Sequence, residues 1–155
     1  HEEPVAAFLR ARLAAMGIPT TTDRLGNLTA SFPGEGPAVM AFAHMDQLGF
    51  VVRKVEADGL VRVERVGGVA EKAMPAQAVL LCPPGADPIP GIITVKAHHA
   101  TQPHEKYAVQ TAAEARIDTG HGSKAAVEAA GVRIGTPVVY RPEFIELADD
   151  RVAGT

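Results

Sequence analysis

Residues 38–50 read Ala-Val-Met-Ala-Phe-Ala-His-Met-Asp-Gln-Leu-Gly-Phe, an apolar run of six residues that ends in a histidine, with an aspartate two positions later. A short apolar run that follows a turn, here the Pro/Gly-rich residues 33–37, is typical of a buried strand. Side chains alternate along a strand, so His44 and Asp46 are expected to point the same way. Open α/β sheets bind ligands at the carboxyl ends of such strands. The spacing alone leaves two interpretations open: a ligand histidine oriented by a carboxylate, or a buried histidine satisfied by a neighbouring acid.

Composition limits the classes of protein that this chain can represent. It has 155 residues, of which 46% are hydrophobic and 21% charged, as in ordinary globular proteins. A net charge of −3 gives no reason to expect nucleic acid or a membrane surface as a partner. No apolar run is long enough to span a bilayer. The single cysteine, Cys82, excludes an internal disulfide and a cysteine-based metal site. We therefore predict a cytoplasmic location.

The hydrophobic pattern predicts more strands than helices. Before residue 67 it predicts, in order, a helix over 2–16, a hairpin of strands 20–23 and 28–32, the strand at 38–43, and a hairpin of strands 49–56 and 60–66. From residue 67, glycine and proline recur every few residues, and short strands are predicted at 78–82, 91–95, 116–118, 132–134 and 137–140. Residues 97–112 are predicted to be a loop, and 123–130 a short helix capped by Ser123. The predicted fold class is α/β, interrupted by a β-rich, barrel-like insert.

Several short motifs follow one another in a specific order. They are Asp23-x-x-Gly26-Asn27, Ala43-His44-Met45-Asp46-x-x-Gly49-Phe50, Asp58-Gly59, Gly67-Gly68, Ile117-Asp118-x-Gly120 and Gly131-Val132-Arg133-Ile134-Gly135. This set resembles the front half of the dimetal glutamyl (deblocking) aminopeptidases, a family that includes the tetrahedral aminopeptidases and some members labelled cellulase or endoglucanase. The resemblance implies a partial metallopeptidase α/β domain interrupted by a β-rich dimerisation domain. On that basis, residues 1–50 are expected to begin the catalytic domain, 51–148 to form the insert, and 149–155 to start the return.

The resemblance also implies site residues and cofactors. His44 matches a ligand of one of two divalent metal ions, zinc or cobalt, and Asp46 matches the acid that orients that imidazole. The family's other ligands and its general-base glutamate lie downstream, so we expect an N-terminal fragment of a metalloaminopeptidase that is inactive alone and binds no metal stably. Asp149-Asp150-Arg151 has the letters of the family's bridging-aspartate motif, but its spacing fits a strand that precedes that motif. Whether Asp150 replaces the missing bridging aspartate stays open. A peptide substrate and a homodimer or larger homo-oligomer are also implied.

Other groups suggest weaker hypotheses. His98, His99 and His104 form a local cluster that is predicted to be loop, although it could bind metal adventitiously, and His99 could lie near a dimer partner's active site. Glu143 and Glu146 are an acid pair, but a glycoside hydrolase also needs a sugar-binding platform, and the chain has no tryptophan and two tyrosines. The residues 120–123 resemble a nucleophile turn but are more simply a helix cap. The alternatives to a peptidase fragment are a stand-alone binding or dimerisation module and an endoglucanase-type hydrolase.

Overall fold

The computed structural model describes residues 2–154, and the chain divides into two compact units, residues 1–47 and 48–155. The first unit begins with helix α1 (Glu3–Ala15), which has Pro4 in its first turn, where a missing N–H costs nothing. The helix ends before Gly17, which has a positive φ of 74°. The predicted helix is therefore confirmed, although Ala6 is its only fully buried residue among those described and Phe8 on its apolar side is exposed.

The first predicted hairpin is also confirmed. Strands β1 (Thr20–Thr22) and β2 (Leu28–Ala30) pair in antiparallel fashion, with Thr21 opposite Thr29. Asp23 holds the connecting turn, because its Oδ1 accepts hydrogen bonds from the backbone N–H groups of Leu25 (2.8 Å) and Asn27 (3.0 Å). The pKa of the Asp23 carboxyl is lowered, mainly by a hydrogen bond from the side-chain amide of Asn27 to Oδ2 (2.8 Å) and further by the backbone bonds.

The strand predicted at 38–43 is wrong for this structure, in which the segment has no regular secondary structure. Val39, Met40 and Phe42 are 84–93% exposed. A buried strand needs neighbouring strands for its N–H and C=O groups and a covering layer on each face. Among residues 2–154, no strand pairs with this segment, so its apolar side chains have nothing to pack against.

The second unit is built around a closed six-stranded barrel. Its strands are β3 (Gly49–Val55), β4 (Val61–Val66), β5 (Ala78–Leu81), β6 (Ile89–Ile93), β7 (Arg116–Asp118) and β8 (Pro137–Tyr140). They are arranged in the order β3-β4-β7-β6-β5-β8, and β8 pairs with β3 to close the barrel. The predicted β-rich, barrel-like part of the fold is confirmed, whereas the α/β layer is not seen in the described residues.

Alternating side chains of the six strands fill the barrel. Residues with 0–1% exposure include Val52, Val61, Val63, Val79, Leu81, Ile93, Ile117 and Val138. An aromatic contact lies at one end of the barrel, where the rings of Phe50 and Tyr140 pack edge to face with their centroids 5.6 Å apart. Branched aliphatic side chains thus form the core of a chain that has few aromatic residues.

Short elements complete the second unit. Helix α2 (Lys124–Ala129) confirms the helix predicted at 123–130, and 3-10 turns occur at Glu71–Ala73 and His98–Ala100. The strand predicted at 132–134 is wrong, because these residues form the turn between α2 and β8, where Val132 packs into the core. Strands β9 (Phe144–Glu146) and β10 (Val152–Gly154) form a separate hairpin. No helix within residues 2–154 combines the length and apolarity required to cross a bilayer.

Candidate functional site

His44 and Asp46 lie together at the end of the apolar segment. Nδ1 of His44 is 2.7 Å from the main-chain oxygen of Asp46 and 3.1 Å from its Oδ1. Both partners are acceptors, so Nδ1 carries the proton and donates it, which leaves the lone pair of the neutral ring on Nε2. The two side chains are 82% and 70% exposed. A local bend at Met45, rather than strand alternation, produces this contact.

This pair fits one ligand of a metal site together with the group that orients it. Metal-bound histidines usually donate their second ring N–H to a carboxylate or a carbonyl, as Nδ1 of His44 does. A stable zinc site, however, needs at least three protein ligands. Within residues 2–154, no three His, Cys, Asp or Glu side chains are grouped to hold an ion. The described residues therefore provide one donor and its support, not a closed site.

Three further histidines lie in the predicted loop 97–112. His98 and His99 occupy a 3-10 turn and are exposed, as is His104. The fixed contact nearby is the ion pair between Lys96 Nζ and Glu105 Oε2, at 2.6 Å. Hydrogen bonding from Lys96 is the main reason why the pKa of Glu105 is lowered. The same carboxylate accepts the N–H of Gln102, so these contacts shape the loop without grouping its histidines into a site.

The Asp-Asp pair at 149–150 occupies the turn between β9 and β10. Asp149 and Asp150 both have positive φ, 58° and 56°, the backbone of a type I′ hairpin turn. The N–H of Leu147 donates to the carbonyl of Arg151 across the turn (2.8 Å). Both aspartates are exposed. In this structure the pair thus has the role of turn residues, and Glu146 lies on the exposed strand beside it.

Ser123 is a helix cap rather than a nucleophile. Its Oγ accepts a hydrogen bond from the backbone N–H of Ala126 (3.2 Å), as predicted from the sequence. The nearby histidine is occupied elsewhere, because Nδ1 of His121 lies 2.9 Å from the hydroxyl of Thr119. The sequence 120–123 therefore carries no nucleophilic arrangement.

A charged cluster on the barrel surface was missed by the sequence analysis. Arg62 and Arg116 flank the carboxylate of Glu56, whose side chain is 19% exposed. The signal was present in the alternation of charged residues along 49–56 and 60–66, but only strand pairing brings Arg116 to this place. The result is a carboxylate held between two guanidinium groups.

Comparison with known proteins settles the family. The family model of M42 glutamyl aminopeptidases matches residues 26–155. The chain belongs to the M42 glutamyl aminopeptidase family. This M42 chain is 33% identical over 132 residues to the lysyl aminopeptidase of Pyrococcus furiosus, a match that covers 84% of the chain and 38% of that protein. The family resemblance drawn from the motifs is confirmed.

Solved structures share the fold of the M42 chain. The aminopeptidase APDkam598 of Desulfurococcus kamchatkensis has a TM-score of 0.78 at 30% identity, over 97% of this chain and 41% of that one. PhTET1, a dodecamer, has a TM-score of 0.71 at 26% identity, over 95% and 42%. An endoglucanase of Thermotoga maritima has a TM-score of 0.68 at 29% identity, over 97% and 43%. The chain spans about two-fifths of the length of each of these proteins.

Proposed function

We propose that this chain supplies the first metal-ligating imidazole, His44, of an M42 aminopeptidase, together with the carboxylate that orients it, Asp46. The observation that carries the proposal is the contact of Nδ1 with Asp46, which leaves Nε2 of an exposed ring as the metal donor. Family membership supports the reaction class. In this assignment residues 1–50 belong to the catalytic α/β domain, 51–148 to the dimerisation domain, and 149–155 to the return.

Two divalent ions, zinc or cobalt, would supply the activated water that hydrolyses the N-terminal peptide bond of a peptide substrate. The described residues contribute an imidazole whose Nε2 would bind the metal, and an acid that orients this ring through Nδ1. They provide one donor, and no three potential ligands are grouped within residues 2–154. We therefore infer that the 155-residue chain is inactive alone, and that the other ligands and the general base belong to the part of M42 proteins that it does not span.

A chimera tests the assignment. The matching segment of the Pyrococcus furiosus lysyl aminopeptidase would be replaced by this chain, and metal content and hydrolysis of aminoacyl nitroanilides would be measured. We expect His44→Ala to remove one metal and abolish turnover, and Asp46→Asn to lower metal affinity or activity about 10–100-fold. Arg24→Gln, an exposed residue of the same unit, is the matched control. Full metal content and activity in His44→Ala would refute the proposal.

The isolated chain tests the inactivity. Purified 155-residue protein with added zinc or cobalt should not cleave leucyl, lysyl or glutamyl nitroanilides, because residues 2–154 group no three metal donors. Metal-dependent cleavage that His44→Ala removes would show that the site is already complete in this chain.

The assembly is proposed to be a homodimer or a larger homo-oligomer in the cytoplasm. Support comes from PhTET1, which is a dodecamer in one solved structure and assembles into a tetrahedron or a large octahedral shell, and from the exposed apolar residues of 38–43. Light scattering after size exclusion measures the mass directly, and a monomer at high concentration would contradict the proposal.

His99 is proposed to lie near a partner's active site. Unchanged turnover in a His99→Ala chimera would eliminate that role.

Two other functions remain as outcomes of these assays. The structural neighbour from Thermotoga maritima is named an endoglucanase, which favours that activity, but the chain has no tryptophan and two tyrosines with which to stack a sugar. Cleavage of carboxymethylcellulose, without cleavage of nitroanilides, would support it.

A stand-alone binding or dimerisation module is favoured by the closed barrel, which has its own core. A well-folded chimera without peptidase activity would support that alternative.

A further inference from the structure

Three cations stand side by side across three strands of the barrel. Lys54 on β3 is directly opposite Arg62 on β4, and Arg62 is directly opposite Arg116 on β7. Like charges at directly opposite positions destabilise a sheet. Negative charge placed against this row is therefore stabilising.

A β-bulge adds a fourth cation. The register of β3 against β4 shifts between Val52 and Lys54, which makes Arg53 the extra residue. Bulges re-aim side chains, and here both Arg53 and Lys54 are exposed rather than alternating between the core and the surface. The irregularity of the strand thus concentrates positive charge at one point.

Two of the arginines are held in place by the same atom. Nη2 of Arg53 and Nη1 of Arg62 both donate to the carbonyl oxygen of Ala113, at 2.9 and 3.2 Å. Holding a long side chain by a hydrogen bond reduces the entropy that it loses on binding a ligand. The two planar groups are positioned before any ligand arrives, as anion recognition by arginine requires.

One carboxylate offsets only part of this charge. Glu56 accepts from Nε of Arg62 (3.0 Å) and Nε of Arg116 (3.2 Å), and it lies 3.8 Å from Nζ of Lys54. Hydrogen bonding by Arg62 is the main reason why the pKa of Glu56 is lowered, so the carboxylate stays ionised near neutral pH. Four cations therefore face a single negative charge.

The cluster borders an open pocket of about 460 Å³ lined by Arg53, Lys54, Glu56 and Arg62. A second pocket of about 530 Å³ shares Lys54 and adds Lys124 and Arg133, with Glu128. Residues 48–155 contain 12 Lys and Arg against 13 Asp and Glu. The linings of the two pockets include five of those cations, Arg53, Lys54, Arg62, Lys124 and Arg133, against two of those acids, Glu56 and Glu128.

The geometry points to a binding site for a small multivalent oxyanion, of the phosphate or polycarboxylate class, in the pocket lined by Arg53, Lys54, Glu56 and Arg62. Guanidinium groups match the bidentate oxygens of these anions, and the volume suits a small molecule. The site lies on the barrel and uses no residue of the proposed peptidase site.

Titration calorimetry on the 155-residue chain tests the site, with pyrophosphate and citrate as separate probes and sodium chloride at matched ionic strength. We expect Arg53→Gln/Lys54→Gln to weaken the binding about tenfold, a loss of ~1.4 kcal/mol. The control Lys72→Gln/Lys106→Gln removes two exposed charges of the same unit outside the pocket and should change the affinity less than twofold. Stronger binding of pyrophosphate than of citrate would assign the site to phosphates, and the reverse to carboxylates.

Glu56→Gln provides an independent test with the opposite sign. Removing the carboxylate that competes with the anion should strengthen the binding of whichever probe binds, with folding checked by circular dichroism. Equal losses in the two double variants would show a diffuse effect of net charge and overturn the proposal. Heat no larger than that of sodium chloride, for both probes, would also overturn it.

Discussion

Replacing Gly59 by alanine should cost the fold a measurable amount of stability. Gly59 lies in the β3–β4 turn with a φ of +89°, where an alanine costs roughly 1–2 kcal/mol. A Cβ there would be 2.1 Å from the carbonyl oxygen of His121 and 2.9 Å from the N–H nitrogen of Ser123, so the backbone of that loop must move. In the same turn, the carbonyl oxygen of Ala57 accepts a hydrogen bond from the N–H of Lys124 (3.2 Å). The neighbouring Ser123 caps helix α2.

Adding these effects gives the expected magnitude. Loss of the hydrogen bond to Ala57 costs about 1 kcal/mol, and a disturbed Ser123 cap costs ~1 kcal/mol more. We therefore expect Gly59→Ala to lower the free energy of unfolding by about 3–4 kcal/mol in total, which corresponds to a Tm loss of roughly 4 °C for each kcal/mol. Far-UV circular dichroism during urea and thermal unfolding measures both quantities.

Gly85→Ala is the control that separates the steric clash at Gly59 from the conformational cost of a positive φ. Gly85 has a similar φ of +73°, but a Cβ there meets nothing within 4 Å. Gly85→Ala should therefore lose only the conformational part, roughly 1–2 kcal/mol. If the two variants lose the same stability within experimental error, the close approach of the loop 121–123 does not matter and the reasoning fails.

Two further predictions concern other residues of the barrel unit. Ala76 is a non-glycine residue with a φ of 64°, so Ala76→Gly should raise the free energy of unfolding by about 1 kcal/mol, and a loss in urea titrations would contradict this. The pKa of Glu56 is lowered from 4.5 in the folded state, so its contribution to stability is complete above pH 4.5 and is lost as the pH falls through the folded value. Glu56→Gln should therefore be less stable than wild type at pH 7, and the gap should shrink below pH 4.5. A gap independent of pH would show that the ion pairs of Glu56 contribute nothing.

Local signals predicted most of the small elements. Asp58 and Gly59 specify the β3–β4 turn, in which Oδ1 of Asp58 accepts the N–H of Leu60 (3.1 Å). Ser123 specifies the start of α2, and Gly131, with a φ of 93°, its end. Each of these features involves residues within a few positions of one another. The sequence therefore contains everything that is needed to recognise them.

Long-range pairing accounts for what the sequence analysis missed. The run 38–43 has the composition of a buried strand, but composition does not supply the neighbouring strands, and the described residues do not either. The basic cluster depends on long-range pairing as well. Arg116 lies more than fifty residues from Arg62, and only the β4–β7 register makes them neighbours.

The sequence by itself determined the turns, the caps, the family and the candidate pair His44 and Asp46, because each depends on residue identity over a short span. Only the tertiary structure decided that β8 returns to β3 and closes the barrel, and that three cations meet around one carboxylate. The physical reason is that a strand's hydrogen-bonding edge accepts many partners, and the choice among them is made by the packing of the whole core.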